Sequence, residues 1–239
     1  MHVPALGRSL KLPLTLGDLE RPGFAAVPRL ELVVGGALAT PPASGPAASR
    51  YVALTFDDGP HPEGTPAVLD VLAQHGATAS FFLVGEQVAR YPGLAARIVA
   101  AGHTVGLHGY LHQLHQRRGA PAMAEDFQRG IAAIADATGI TPRLHRPPYG
   151  IYSAASLRVA RERQLQPLLW SKWGQDWRRV TTPEEIAGRV VRGLRAGDVI
   201  LLHDADHYSA QGSHRRTAAA LPAIMKALQS AALGTVRLA

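Results

Sequence analysis

From Tyr51 onward the chain alternates short apolar runs with amphipathic stretches, and this rhythm narrows the fold more than any other feature. Apolar runs fall near residues 51–56, 78–84, 103–107, 142–145, 166–171, 198–202 and 234–238, each short enough for a buried strand. The gaps read as helices. Residues 65–75 carry Val68, Val71 and Leu72 and stop at Gly76; residues 86–101 carry Val88, Leu94, Ile98 and Val99, and Pro92 splits them. Phe127, Ile131 and Ile134 share one face of a helix over residues 122–137. Ser153 caps a helix through about Arg163. Thr182-Pro183-Glu184-Glu185 is a capping box with proline at the first helical position, opening a helix that Gly197 closes. Leu221, Ile224, Met225 and Leu228 mark the last helix, where Pro222 must fall in the first turns or kink the axis. Strands alternating with helices need crossover connections, hence an α/β chain on a parallel sheet. At about 190 residues the repeat of seven strands is long enough to close into a barrel, somewhat short of the usual eight units. An open doubly wound sheet is the alternative, weakened because no glycine fingerprint for a dinucleotide follows the first strand.

Residues 1–49 differ in character. Residues 30–34 could form a short strand, and residues 39–49 are a Pro-rich linker of small residues. The chain therefore divides into an N-terminal extension (1–49) and one main domain (50–239). A hydrophobic fraction of 46% over 239 residues supports a full core. Cysteine is absent, which excludes disulfides and thiolate metal sites. The net charge of +7 comes mostly from arginine, with the pairs at 117–118, 178–179 and 215–216 scattered and free of interleaved aromatics. A solvated basic face is the expectation, and no nucleic-acid partner is. No run approaches the roughly 20 apolar residues of a membrane span. Arg8 and Lys11 interrupt the apolar N-terminus, so no clear signal peptide is present, and the compartment is not legible.

In parallel α/β folds, chemistry gathers at the carboxyl ends of strands. The first strand ends at Asp57-Asp58, the third at His108, the fourth at Arg146 and the sixth at His203; the fifth runs into the loop of Asp176 and Trp177. Asp-Gly-Pro after Asp57 is also ordinary turn chemistry. His108 and His112 are four apart, and with Asp58 they make two imidazoles and a carboxylate, a pattern for a catalytic divalent ion. His115, one turn on, could compete as a ligand. His103 is expected to pack, and His207 and His214 to lie on a polar surface loop. Asp57 can serve as base for a water and His203 as acid for a leaving amine. Asp176 can favour the imidazolium of His203, and Arg146 can pair with Asp57 and aim it.

With these stations in order, the chain resembles the polysaccharide deacetylase family (the NodB-homology domain, carbohydrate esterase family 4) over roughly residues 50–239. Thr55-Phe56-Asp57-Asp58-Gly59-Pro60 and Arg146-Pro147-Pro148-Tyr149 match its first and third motifs. His108-Gly109-Tyr110-Leu111-His112 looks like its second; Asp176-Trp177 and Leu201-Leu202-His203 match the ends of its fourth and its fifth. The resemblance implies an α/β fold, a distorted (β/α) barrel with about seven parallel strands, and removal of N-acetyl, or sometimes O-acetyl, groups from a sugar polymer of chitin, peptidoglycan or xylan type. It implies Asp57 as base, Asp58, His108 and His112 as metal ligands, Arg146 orienting Asp57, and Asp176 tuning the acid His203. The backbone N–H of Tyr149 would help hold the oxyanion, and Trp177 and Leu202 would line the acetyl pocket. Zinc is the expected ion, with cobalt, nickel or manganese as alternatives. The implied partner is an acetylated carbohydrate, the expected state a monomer, and the implied setting extracytoplasmic. Two departures stand out. Gly109 replaces a Ser or Thr whose hydroxyl would steady the histidine loop. Trp173 replaces an acid, offering an aromatic face for sugars or for packing. Other readings are a non-catalytic carbohydrate binder and a small-amide metal amidohydrolase; retention of base, acid and ligands disfavours the former, and the first motif the latter.

Overall fold

The computed structural model describes residues 50–238; the extension expected over residues 1–49, with its linker and the strand at 30–34, lies outside the described residues. Eight strands form one parallel sheet: β1 (Tyr51–Asp57), β2 (Ser80–Leu83), β3 (Thr104–Leu107), β4 (Leu144–His145), β5 (Gln166–Pro167), β6 (Lys172–Trp173), β7 (Val199–His203) and β8 (Gly234–Val236). Their order is β5-β4-β3-β2-β1-β7-β6. β8 pairs with the first half of β1, on the edge whose second half pairs with β2. Among the described residues seven α-helices fill the crossovers: α1 (Gly64–Gln74), α2 (Gly85–Arg90), α3 (Pro92–Ala100), α4 (Ala120–Thr138), α5 (Ala154–Glu162), α6 (Pro183–Val191) and α7 (Ser213–Ser230).

The strand expected over residues 166–171 is instead two short pieces, because this segment changes partner. Leu168 N donates to His145 O at 2.9 Å, whereas Ser171 N donates to Val199 O at 2.9 Å and Gly174 N to Leu201 O at 3.2 Å. Pro167 still pairs with His145 on this edge strand; the donors to β4 are Gln166 N (to Arg143 O, 2.7 Å) and Leu168 N, so its missing N–H costs no ladder bond. One bent segment thus joins the two ends of the curled sheet, giving the distorted barrel.

Helix boundaries follow their caps. Ser153 and Thr182 each accept from the N3 backbone in a capping box, with N3 Ser156 and Glu185 reaching back. Pro92 starts α3 after α2 ends. α6 stops at Val191, earlier than Gly197: Arg192 turns extended and Gly193 takes φ +63°. Pro222 lies in the interior of α7. There it leaves the carbonyl of Ala218 without an i+4 donor.

Strand alternation divides the side chains. Val52, Leu54 and Phe56 of β1, Phe81 and Leu83 of β2, Val105 and Leu107 of β3, and Ile200 and Leu202 of β7 join the main core under the helices. The opposite parity faces the barrel interior: Ala53, Phe82, Leu144 and Val199 form a small inner cluster. Continued to the strand ends, that inward parity reaches Asp57, His108, Arg146 and His203. β1 and β7 are in register with Asp57 opposite His203. Gly106 makes room within this interior, since a Cβ there would stand 2.8 Å from the Phe82 ring.

Candidate active site

Four strand ends and the loops beyond them build a cleft lined by Asp57, Asp58, His108, His112, Tyr149 and His203, with Trp170, Trp173, Trp177, Leu201, Tyr208 and Ser209 around them. Asp57 closes β1. The next residue, Asp58, takes a left-handed backbone (φ 78°), which turns its carboxylate toward the histidines. Both acids are 3% exposed.

Arg146 is fully buried and holds Asp57. Its Nη1 donates to Asp57 Oδ1 at 2.7 Å and to Thr55 Oγ1 at 2.9 Å. Nε donates to Leu168 O and Nη2 to Leu169 O, each at 3.1 Å. The guanidinium also lies 4.1 Å over the Phe82 ring. Every face of this buried charge is thus met, as a desolvated cation requires.

Around Asp58, His108 Nε2 stands 3.4 Å and His112 Nε2 3.2 Å from the same Oδ1. That oxygen is buried and has no hydrogen-bond partner. Burial pushes the Asp58 carboxyl up, but His112 and His108 outweigh it and hold the group well below the usual carboxylate range. His108 Nδ1 donates to Arg146 O at 2.8 Å, leaving its Nε2 lone pair toward the site. One carboxylate and two imidazoles therefore converge within 4.8 Å, and an orphaned, ionised oxygen sits at their centre. This donor set fits a divalent metal ion with open positions for water and substrate.

The histidine loop is steadied from α4. Asp126, 3% exposed, accepts from Tyr110 N at 2.9 Å and Leu111 N at 3.2 Å, and pairs with Arg118 at 2.6 Å. Gly109 adopts φ +85°, a backbone that a Ser or Thr would occupy with strain. The missing hydroxyl is thus matched by a carboxylate from elsewhere, which no local pattern announces. Across the cleft, Asp176 Oδ1 lies 2.9 Å from His203 Nδ1, while its Oδ2 accepts His203 N and Thr217 Oγ1, both at 2.7 Å. Burial opposes charge on His203, but Asp176, with Asp58 and Asp57 adding, pushes it up to about 10.

Some expected residues fall elsewhere. Leu202 is fully buried in the main core, and Leu201 faces the cleft instead, one residue out of the expected phase. His115 does not join the ligand group: it stacks on His145 at 5.6 Å, and burial, then His108, Arg118 and His112, push it down to about 3. His214 is 4% exposed in the first turn of α7 and so is not on a surface loop, whereas His207 does lie on the loop after β7, half-buried. His103 packs on Phe81 at 5.5 Å. Trp173 stands between Trp170 (6.0 Å) and Trp177 (5.0 Å), extending an aromatic wall. Tyr208 was not anticipated: its ring stacks on His112 at 4.2 Å and 7°. Its place on the loop after β7 was the available signal, since that loop borders the rim.

The family model described as "Polysaccharide deacetylase" matches residues 44–168, and the chain belongs to this family. It is 36% identical over 182 residues to a peptidoglycan-N-acetylglucosamine deacetylase of Bacillus cereus, covering 75% of this chain and 82% of the relative. It is 33% identical over 184 residues to a chitooligosaccharide deacetylase of Azorhizobium caulinodans, covering 74% and 87%. Among solved structures, a family 4 acetyl xylan esterase of Clostridium thermocellum in complex with a cobalt ion superposes with a TM-score of 0.72 at 31% identity, covering 79% of this chain and 88% of the other. The protein is a carbohydrate deacetylase of the family 4 carbohydrate esterase class. Among the described residues, no helix is long and apolar enough to cross a membrane.

Proposed function

We propose that this chain removes acetyl groups from N-acetylglucosamine units of a cell-wall-type polymer, and does so outside the cytoplasm. Two of the relatives above are named for N-acetylated glycans, which favours an amide over an ester substrate. Asp58, His108 and His112 would hold the metal, zinc first among the candidates. When bound, the ion supplies Lewis-acid chemistry, polarising the acetyl carbonyl and acidifying water.

The rest falls to the chain's own groups. Arg146 fixes Asp57 Oδ1, leaving Oδ2 toward the histidines (3.8 Å from His108 Nε2) to accept the proton of the attacking water. The water oxygen bonds to the acetyl carbon. As the carbon–nitrogen bond breaks, His203 gives its proton to the departing amine, and Asp176 stabilises the imidazolium beforehand. The backbone N–H of Tyr149, a residue that lines the cleft, would help stabilise the developing oxyanion. The tryptophan wall with Leu201 lines the space for the acetyl methyl and the sugar face. The observation that carries this reading is the separation of the two carboxylates: one pairs with arginine, the other with two imidazoles.

The test is acetate release from chitin oligomers, peptidoglycan fragments and acetylated xylan, with chelated and zinc-restored protein. Release that is strongest on the N-acetylated polymers, lost on chelation and restored by zinc, supports the reading. No turnover on any of them by the zinc-loaded protein contradicts it.

A further inference from the structure

Beside the catalytic cleft lies a second pocket, lined by His61, Glu63, Asp206, Gly212, His214 and Arg215. The reaction uses none of these residues. Three imidazoles meet here: the His61 ring centroid is 4.3 Å from that of His214 and 4.8 Å from that of His207. Asp206 stands among them, with Oδ1 3.2 Å from His61 Nε2 and Oδ2 3.2 Å from His214 Nδ1. One ligand atom from each of His61, Asp206 and His207 lies within 4.8 Å of the other two. Neither ring nitrogen of His214 has a hydrogen-bond partner although the residue is 4% exposed, and His207 Nε2 is likewise buried and unpartnered. Buried polar atoms ordinarily find partners. Here the nearest acids are already engaged: Asp206 Oδ2 accepts from Gly212 N at 2.6 Å, and Glu63 Oε2, 3.6 Å from His214 Nε2, accepts from Arg215 at 2.6 Å, so the unpaired nitrogens leave room for an occupant. The 3.2 Å spacings match the 3.2 and 3.4 Å at the first site. They are also close to the roughly 3.3 Å edge of a tetrahedron with bonds of about 2.0–2.1 Å.

We propose that His61, Asp206 and His207 form a second, structural site for a divalent transition-metal ion, with His214 as a fourth donor at the other oxygen of Asp206. The site is the weaker of the two. His61 Nδ1 accepts from Glu63 N at 3.2 Å and Gly64 N at 3.0 Å, so the ring proton sits on Nε2 facing Asp206. Ligation through Nε2 moves that proton to Nδ1 and gives up these turn contacts. The ion would tie two rim loops together. His61 follows Asp58 by three residues, and Asp206 and His207 lead into Tyr208, which covers His112. Tyr208 is itself anchored on α2, donating to Glu86 Oε1 at 2.5 Å and accepting from Gln87 Nε2 at 2.9 Å.

Zinc content per chain, measured by elemental analysis after dialysis at rising free zinc, tests this without reference to turnover. Three proteins are compared, with far-UV circular dichroism as the folding control: wild type, His61→Ala/His207→Ala, and Asp58→Ala/His108→Ala. The proposal expects the wild type to rise through one to two ions per chain, and each double variant to hold one. The ion kept by His61→Ala/His207→Ala should be the tighter. A wild type that saturates at one ion, with none held by Asp58→Ala/His108→Ala, overturns it. Should His61→Ala/His207→Ala fail to fold, the Asp58→Ala/His108→Ala protein decides alone: one ion retained supports the second site, and none refutes it.

Discussion

Arg146 is a fully buried guanidinium whose donors meet Asp57, Thr55 and two backbone carbonyls. Replacing it with alanine leaves Asp57 buried beside no counter-charge. The expected cost is about 3–5 kcal/mol of stability, read as a large fall in the midpoint of urea unfolding. Lysine keeps the charge but not the fork, so Arg146→Lys should stay folded while Asp57 is no longer aimed. Its kcat should fall more than its KM rises. His203 carries a second test. Below a pKa of about 10 the ring is protonated and can act as the acid; above it the proton is lost, so the His203 titration should set the alkaline limb of the activity profile. Asp176 is the main force raising that value against burial. Asp176→Asn should therefore move the alkaline limb of the kcat profile to lower pH, with a loss of about 10²-fold or more near pH 8. A limb that stays in place separates His203 from the acid role.

At the scale of elements, the histidine loop depends on a helix that does not touch the chemistry. Asp126 of α4 accepts two loop N–H groups and the Arg118 guanidinium. Asp126→Ala should weaken zinc binding about 10–100-fold in a chelator competition, and destabilise the fold by about 1–3 kcal/mol. Elements were legible where a local rule governs them. Ser153 and Thr182 announce their helices through caps, and Pro92 divides α2 from α3. The strand-end residues were legible too, because each follows an apolar run directly. Other features were hidden by distance or by phase. Asp126 lies 16 residues from the Tyr110 N–H it holds, and Thr217 lies 41 residues from Asp176, so only the folded chain brings these partners together. Leu201 and Leu202 are equally apolar, and a one-residue choice of phase sends a side chain to the cleft or to the core. Gly193 and Gly197 both take positive φ, and composition alone does not say which ends the helix.

For the whole molecule, the parallel register is what turns separate motifs into one site. Asp57 faces His203 across neighbouring strands, and the same inward parity reaches His108 and Arg146. The bent segment of residues 166–174 bridges the sheet's two ends and brings the tryptophan wall to the same rim. An ion that binds the folded site but not the unfolded chain stabilises the whole domain by about 2.7 kcal/mol at a hundredfold excess over Kd. Zinc should therefore raise the melting temperature of the wild type by several degrees. The central claim is that Asp57 is a base distinct from the metal ligands, and Asp57→Asn tests it most directly. Acetate release from an N-acetylglucosamine oligomer should drop about 10²–10⁴-fold while the tight zinc ion is retained at wild-type affinity. A zinc-loaded Asp57→Asn protein that releases acetate at the wild-type rate would contradict the account.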